Sequence, residues 1–340
     1  MVQPAALRRV RVLVRSAAQA SHNLGTVREI VVFSGSSHPA LSAEICADLG
    51  VPLRPVRLTR FANDCLEVQL QANCRERDVF VIQPLGPPVQ ENLVELLLML
   101  DAAKGASAAR VTAVIPYYAY ARSDKKSMPR ISIGGRLVAD LLATAGASRV
   151  LAMTLHSPQV HGFFSIPVDH LHALREFADH FSGLDLANSV VVSPDLGNAK
   201  NAAALARLLQ LPVAAGAKER HSDERVTISS IIGDVEGKDV IVLDDEIARG
   251  TTIIELLERL QERDVRSVRI ACTHGLFSDG SLKRIAAQAL VREIVSTNTL
   301  PAPEDAESSG LKVISIAPAL AEAIRRIHEG ESVSALFGAS

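Results

Sequence analysis

The stretch Asp239–Thr252, DVIVLDDEIARGTT, constrains the fold of this chain more than any other. An apolar run of strand type, Val240 to Leu243, ends in two adjacent carboxylates, Asp244 and Asp245. A short loop with Gly250, Thr251 and Thr252 then leads into the helical pattern IIELLERL. In an α/β domain the carboxyl end of a strand is where ligands bind. Hydroxyls and free backbone N–H groups at the start of the next helix suit a phosphate. Two carboxylates just before that nest accept hydrogen bonds from vicinal sugar hydroxyls, or help to hold a hard cation. The combination points to a sugar phosphate. The competing reading is an ordinary strand–loop–helix turn with solvated aspartates.

Strand-like runs alternate with helical patterns along the rest of the chain. EIVVF (29–33), DVFVIQ (78–83) and RVTAVIP (110–116) precede helices near Pro39–Leu49, Gln90–Ala103 and Ile133–Ala145. SVVVSP (189–194) precedes a helix at Ala199–Leu209, and SVRIACTH (267–274) and EIVSTN (293–298) follow. Short strands that are apolar on both faces, set between helices, predict parallel sheets covered on both sides. DVFVIQP…NLVELLLML…ARVTAVIP also resembles DVIVLDD…TTIIELLERL…RSVRIACTHG, about 160 residues later. Two copies of one α/β unit fit the length of 340 residues. The first copy has Gln83 and Pro84 where the second has Asp244 and Asp245, so only the second keeps the carboxylates. The expected division is a basic extension at 1–28, domains at 29–173 and 174–330, and a tail at 331–340.

Charge is nearly balanced, at a formal net −2, which argues against a broad nucleic-acid surface. Apolar runs such as Leu96–Leu100 are too short to span a bilayer. Cys46, Cys65, Cys74 and Cys272 lack CxxC spacing and read as buried free thiols in a reducing, cytoplasmic setting. The first 28 residues carry five arginines and no acid, so they read as a frayed extension or as an organelle transit peptide.

Further loops stand at strand ends. RFANDCLEV (60–68) offers Phe61 and polar neighbours for stacking on a base, although a lone Phe is commonly core. PYYAYARSDKK (116–126) holds Arg122, Lys125 and Lys126, suited to a polyphosphate or to plain solvation. MTLHSPQVHGFF (153–164) places His156 and His161 after a strand, as metal or proton groups or as structural histidines. VSPDLGNAKN (192–201) puts Asp195 before a glycine-containing turn. AKERHSDERV (217–226) is a surface hairpin, or a flap bringing Lys218 and Arg220 over a reaction centre.

Taken in order, these segments resemble the ribose-phosphate diphosphokinase family, also called phosphoribosyl pyrophosphate synthetases. The match runs from about Ile30 to Phe337 and includes FSGSSHP (33–39), RVTAVIPYYAYARSDKK (110–126) and LHSPQVHGFFSIPVD (155–169). It continues through VSPD (192–195), KER (218–220), THGLFS (273–278) and AEAIRRIHEGESVSALF (321–337). The resemblance implies an α/β fold of two tandem phosphoribosyltransferase-type domains, each a mainly parallel sheet flanked by helices. It implies ATP and ribose 5-phosphate as substrates, Mg²⁺ as cofactor and a homo-oligomer, often a hexamer built from dimers.

Carried over by position, Asp244 and Asp245 would hold the ribose hydroxyls with Asp195 close by, and Ala248, Arg249, Gly250, Thr251 and Thr252 would wrap the 5-phosphate. Phe61, Asn63 and Cys65 would lie at the nucleotide base, and Arg122, Ser123, Asp124 and His156 towards the rest of ATP. His156 and Asp195 would anchor Mg²⁺, and Lys218 and Arg220 would be the catalytic cations. Ser332 and Ser334 match a region that forms a phosphate or ADP regulatory site in some members.

The chain departs from the family pattern in places. The phosphate loop reads DDEIARGTT rather than DDxxDTGGT, so Ala248, Arg249 and Thr251 replace Asp, Thr and Gly. Cys65 stands for a usual Glu, Ser123 for Gln, Thr154 for Asp and Asn201 for Arg. A non-catalytic partner of a true synthetase is therefore the alternative reading. A phosphoribosyltransferase ranks below both, because it needs only one such domain and no ATP loops.

Overall fold

The computed structural model describes residues 28–220 and 226–337. The basic extension before Arg28 lies outside the described residues, as do the side chains of Lys218 and Arg220. A first sheet contains β1 (Ile30–Ser34), β2 (Leu53–Arg54), β5 (Asp78–Ile82), β6 (Arg110–Ile115), β7 (Arg149–Met153) and β8 (Val168–Leu171). Its order is β2-β1-β5-β6-β7-β8, with every neighbour parallel. Between β2 and β5, β3 (Val56–Arg60) and β4 (Leu66–Leu70) form a separate antiparallel hairpin.

A second sheet contains β9 (Ser189–Ser193), β10 (Val213–Arg220), β11 (Val226–Ile232), β12 (Asp239–Ile247), β13 (Ser267–Gly275), β14 (Val291–Thr297) and β15 (Leu311–Ile314). Its order is β11-β10-β9-β12-β13-β14-β15, parallel except at β10/β11. The helices are α1 (Pro39–Leu49), α2 (Val89–Gly105), α3 (Gly134–Ala145), α4 (Leu174–Ser182), α5 (Ala199–Leu209), α6 (Thr251–Gln261), α7 (Ser281–Ala286) and α8 (Ala317–Glu329). The internal echo in the sequence corresponds to β5–α2–β6 and β12–α6–β13, two parallel β–α–β units. A strand buried on both faces needs apolar residues throughout, and β5 and β9 are buried along their whole lengths.

Three apolar clusters give the layering. One packs α2 and α3 on the first sheet (Leu96, Leu100, Val138, Leu142 with Val79, Val81 and Ile115), and another packs α6 and α7 on the second. The third is shared by both sheets. Phe80, Leu151, Ile241 and Val295 meet there with Leu41 and Ile45 of α1, Phe177 and Phe181 of α4, Leu205 of α5 and Leu320 and Ile324 of α8. The last helix thus packs against elements from the first half of the chain. A buried polar staple reinforces this docking: Asp78 accepts from Arg110 and from His328 Nδ1, and Arg110 also donates to the Ile327 and His328 carbonyls. Gly330, at φ 75, ends α8 in the left-handed conformation that a side chain would resist.

The alternation of apolar and polar residues foretells the central strands and the helices α1, α2, α3, α5 and α6. It misses β2, β3, β4, β8, β10, β11 and β15, and the helices α4, α7 and α8. Several of these lie at sheet edges or outside the main sheets, and mixed exposure leaves their sequences without a full apolar signature. The thiols of Cys46, Cys74 and Cys272 are buried as expected, but Cys65 is exposed, because it sits at the tip of the β3–β4 hairpin. No helix among the described residues is long and apolar enough to cross a membrane.

Candidate active site

The carboxyl edge of the second sheet gathers four loops. The strand expected to stop at Asp245 runs on to Ile247, because Glu246 and Ile247 keep pairing with His274 and Gly275 of β13. The loop 248–250 then turns directly into α6. Gly250 sits at φ 71, and a Cβ there would lie 2.9 Å from Ile285 Cδ1 and 3.1 Å from Ser281 Cβ. The glycine is therefore required by both backbone and neighbours. Thr251, which replaces a family glycine, is the first residue of α6 and needs no left-handed conformation. The loop is braced from α7 and its approach: Ser281 Oγ donates to the Ala248 carbonyl at 2.8 Å, and Arg284 donates to the Arg249 carbonyl at 2.7 Å. Arg249 itself is exposed, 3.5 Å from Asp279.

On the neighbouring strand, Asp195 follows β9, and its Oδ1 accepts from the Asn198 N–H at 3.1 Å. Asn198 in turn donates to the Leu243 carbonyl at 2.9 Å, which ties this turn to β12. Gly216 allows β10 to pass close by, since a Cβ would lie 2.5 Å from the Pro194 carbonyl oxygen. β10 pairs with β9 only as far as Ala215–Ser193 and then continues as a ribbon with β11, with Lys218 opposite Ile228 and Arg220 opposite Val226. The two lysine and arginine positions lie beyond the same strand edge that carries Asp195.

The first sheet meets this edge with the loops after β6 and β7. His156 Nδ1 lies 2.6 Å from Asp245 Oδ2, and Arg122 lies 3.3 Å from Glu246 Oε1. Ser157 donates to Asp124 Oδ2 at 2.6 Å, joining the two loops of the first half. Ser123 closes its own loop, its hydroxyl accepting from the Gly134 N–H at 2.8 Å. These contacts bring the loops after β6 and β7, with Arg122, Asp124 and His156, against the end of β12, with Asp244, Asp245 and the loop 248–252, and Asp195 is close enough for its charge to act on Asp244.

The cleft is rich in carboxylates. Withdrawal from water, then the charges of Asp245 and Asp195, push the Asp244 carboxyl well above the usual range. Burial works against ionisation of Asp245 too, but the bond to His156 overcomes it and lowers its pKa. The same bond to Asp245 raises the pKa of His156 against the effect of burial. Burial raises Glu246, which the Arg122 charge partly offsets.

Two imidazoles, His274 buried and His170 half-buried, hold the turn that presents His156. His274 Nε2 lies 3.0 Å from the Thr154 carbonyl and Nδ1 lies 2.9 Å from Thr299 Oγ1, while the Leu155 N–H donates to His170 Nε2 at 2.7 Å. Thr154 between them adopts φ 40, a strained value for a β-branched residue. Burial lowers the His274 pKa to about 4 and the His170 pKa to about 3, from an ordinary 6.5. The unfolded chain takes up protons on these rings below pH 6.5, and the native protein does not until about pH 4 and 3. Their contribution is complete above about pH 6.5 and is lost as pH falls towards 4 and 3, on the order of 3 kcal/mol for His274. Urea unfolding should show stability declining across that window, with a shallower decline in His274→Gln; identical profiles would contradict this origin.

Other expected residues make local contacts elsewhere. Phe61, Asn63 and Cys65 occupy the hairpin tip, where Asn63 Oδ1 accepts from the Cys65 N–H at 3.2 Å and Phe61 is 48% exposed. None of the polar contacts described for this tip reaches Arg122, His156 or Asp245. Ser332 and Ser334 are exposed beyond α8, and the Ser332 carbonyl accepts from Arg326 at 3.0 Å. His161 sits in a short 3-10 turn, 3.0 Å from the Val168 carbonyl. Sequence reasoning missed Glu246, Tyr117, His170 and His274. Glu246, Tyr117 and His274 lie inside quoted motifs and His170 directly follows one, yet only the tertiary contacts reveal them.

Comparison with known proteins places the chain among relatives of one kind. Residues 30–146 match the N-terminal domain of ribose phosphate pyrophosphokinase, and residues 221–338 match the phosphoribosyl synthetase-associated domain. A Streptomyces coelicolor relative is 70% identical over 313 residues, covering 92% of this chain and 99% of its own length. The ribose-phosphate pyrophosphokinase of Deinococcus radiodurans is 50% identical over 91% of this chain and 98% of its own. The crystal structure of phosphoribosylpyrophosphate synthetase from Mycobacterium smegmatis superposes with a TM-score of 0.83 at 39% identity, over 89% of this chain and all of that one. With a parallel-sheet pair built around one cleft and relatives matched almost end to end, the chain belongs to the ribose-phosphate pyrophosphokinase family.

Proposed function

We infer that this protein is a ribose-phosphate diphosphokinase. It transfers the β,γ-diphosphoryl group of ATP to the anomeric hydroxyl of ribose 5-phosphate, giving phosphoribosyl pyrophosphate and AMP. The observation that carries this reading is the pair of contacts His156–Asp245 and Arg122–Glu246, which bring the ATP loops of one half against the sugar-phosphate loop of the other.

In the reaction the anomeric oxygen forms a bond to the β-phosphorus. The bond from that phosphorus to the oxygen bridging it to the α-phosphorus breaks, AMP leaves with that oxygen, and the hydroxyl proton passes to solvent. Asp244 and Asp245 orient the sugar by accepting from its hydroxyls, with Asp195 beside them, and the N–H groups and hydroxyls of 248–252 hold the 5-phosphate. Arg122 meets the ATP phosphates, and Phe61 and Asn63 take the base. Lys218 and Arg220, at the outer end of β10, supply the cations that offset charge building on the transferred group.

The donor set fits Mg²⁺. No trio of His, Cys, Asp or Glu side chains among the described residues is arranged to enclose a metal. That suits an ion which takes one or two protein ligands and shares the rest of its shell with water and phosphate oxygens. Asp195 would hold it together with His156, whose Nδ1 is engaged by Asp245, so that Nε2 is the nitrogen left to face a ligand. When bound, Mg²⁺ supplies charge neutralisation on the diphosphate. The working form would be a homo-oligomer of the cytoplasm, with Ser332 and Ser334 near a regulatory anion site.

The direct test is AMP release by purified protein given ATP, ribose 5-phosphate and Mg²⁺, with and without inorganic phosphate. Sugar-dependent AMP release is expected. Ligand binding without turnover, together with co-purification of an active synthetase, would instead support a non-catalytic partner.

A further inference from the structure

Glu246 is assigned no role by the sugar-phosphate motif, yet it sits at the seam of the two halves. Its side chain is 5% exposed and comes from the penultimate residue of β12, just before the phosphate loop. A carboxylate in that position is costly to bury without a partner. Its partners both belong to one short segment of the other half: the Arg122 guanidinium at 3.3 Å and the Tyr117 hydroxyl. Tyr117 is itself fixed, buried against the His274 ring at a centroid distance of 4.9 Å. Arg122 stands at the end of a four-residue 3-10 turn and is 49% exposed, so the donors not spent on Glu246 remain open to a ligand.

We propose that Glu246 is a positioning residue, whose buried carboxylate orients the Arg122 guanidinium towards the cleft and so prepares the binding of the ATP phosphates. One N–H of the fork is spent on Glu246, and the other donors remain for phosphate oxygens. An untethered arginine on a surface turn would lose more side-chain freedom on meeting ATP, and would bind it more weakly. Because Glu246 follows Asp245 directly, the same stretch of strand holds His156 with one side chain and Arg122 with the next. The nucleotide loop is thereby registered to the sugar site before either ligand arrives.

This role rests on the assignment of Arg122 to ATP, and calorimetric titration of the full-length protein separates it from the activity itself. In Glu246→Gln, the Kd for ATP should rise on the order of fivefold while that for ribose 5-phosphate moves less than about twofold. In an Arg122→Ala background the same change should add nothing, since the residue through which Glu246 acts is gone. Glu246→Met, similar in length and without charge, repeats the test if the Gln variant folds poorly. An unchanged ATP Kd, an equal loss for both ligands, or full additivity with Arg122→Ala would overturn the proposal. Wild-type protein that binds ATP but never releases AMP would refute the diphosphokinase reaction and leave the Glu246 comparison intact.

Discussion

Asp245→Asn should lower kcat/KM for ribose 5-phosphate by about 10²–10³-fold, while the folded protein survives. The substitution preserves shape, so the strand pairing of β12 and the core beneath it have no reason to change. Three features are lost together. One of the two acceptor oxygens becomes an N–H donor, which no longer suits a sugar hydroxyl donating into it. The negative charge that raises the pKa of His156 disappears, and the imidazole is released from its 2.6 Å partner. The contact that holds the β7 loop against the β12 loop also weakens, and a shift of about 1 Å in a reacting pair is enough to cost about 100-fold. Steady-state kinetics with a thermal melt checks this. A melt close to wild type with a large kinetic loss is the expected pair, and wild-type kinetics would remove Asp245 from the sugar site.

Gly250→Val should weaken ribose 5-phosphate binding by about 100-fold, through a different cause. A β-branched residue at φ 71 costs about 1–2 kcal/mol in backbone strain. Its side chain must also displace Ile285 or Ser281, and Ser281 is the residue that holds the Ala248 carbonyl. The loop then leaves the position from which its N–H groups point at one phosphate. Thr251→Gly is the informative contrast: position 251 is ordinary helix, so it should lose only the hydroxyl's share of phosphate binding, about tenfold, and at most about 1 kcal/mol of helix stability. Calorimetry on both variants would show it. Equal losses would mean that the loop tolerates no change at all, rather than requiring one glycine.

Much of this site is legible before the fold is known. DVIVLDD announces a buried strand with carboxylates at its end, and the glycine and threonines after it announce a turn into a helix. Both follow from local chemistry, which sequence records directly. The strand's true end at Ile247 does not, because β13 keeps pairing with Glu246 and Ile247 whatever their side chains prefer. Nor do the partners of His156. Asp245 lies 89 positions away, and nothing local to either residue encodes the meeting. The tolerance of threonine at position 251, where the family has glycine, is likewise hidden in the sequence: only the backbone angles show that Gly250 alone carries the left-handed conformation within 248–252. The hairpin bearing Phe61, Asn63 and Cys65 shows the limit from the other side. Phe61 and Asn63 match the family motif while Cys65 departs from it, and the contact described for that tip is local, Asn63 with the Cys65 N–H.

The most direct measurement is a crystal structure with ribose 5-phosphate bound. The sugar hydroxyls should fall against Asp244 and Asp245 and the 5-phosphate within the loop 248–252, with Thr251 and Thr252 contributing hydroxyls at the start of α6. Ribose 5-phosphate seated anywhere else, with those carboxylates still facing only His156 and one another, would contradict the account.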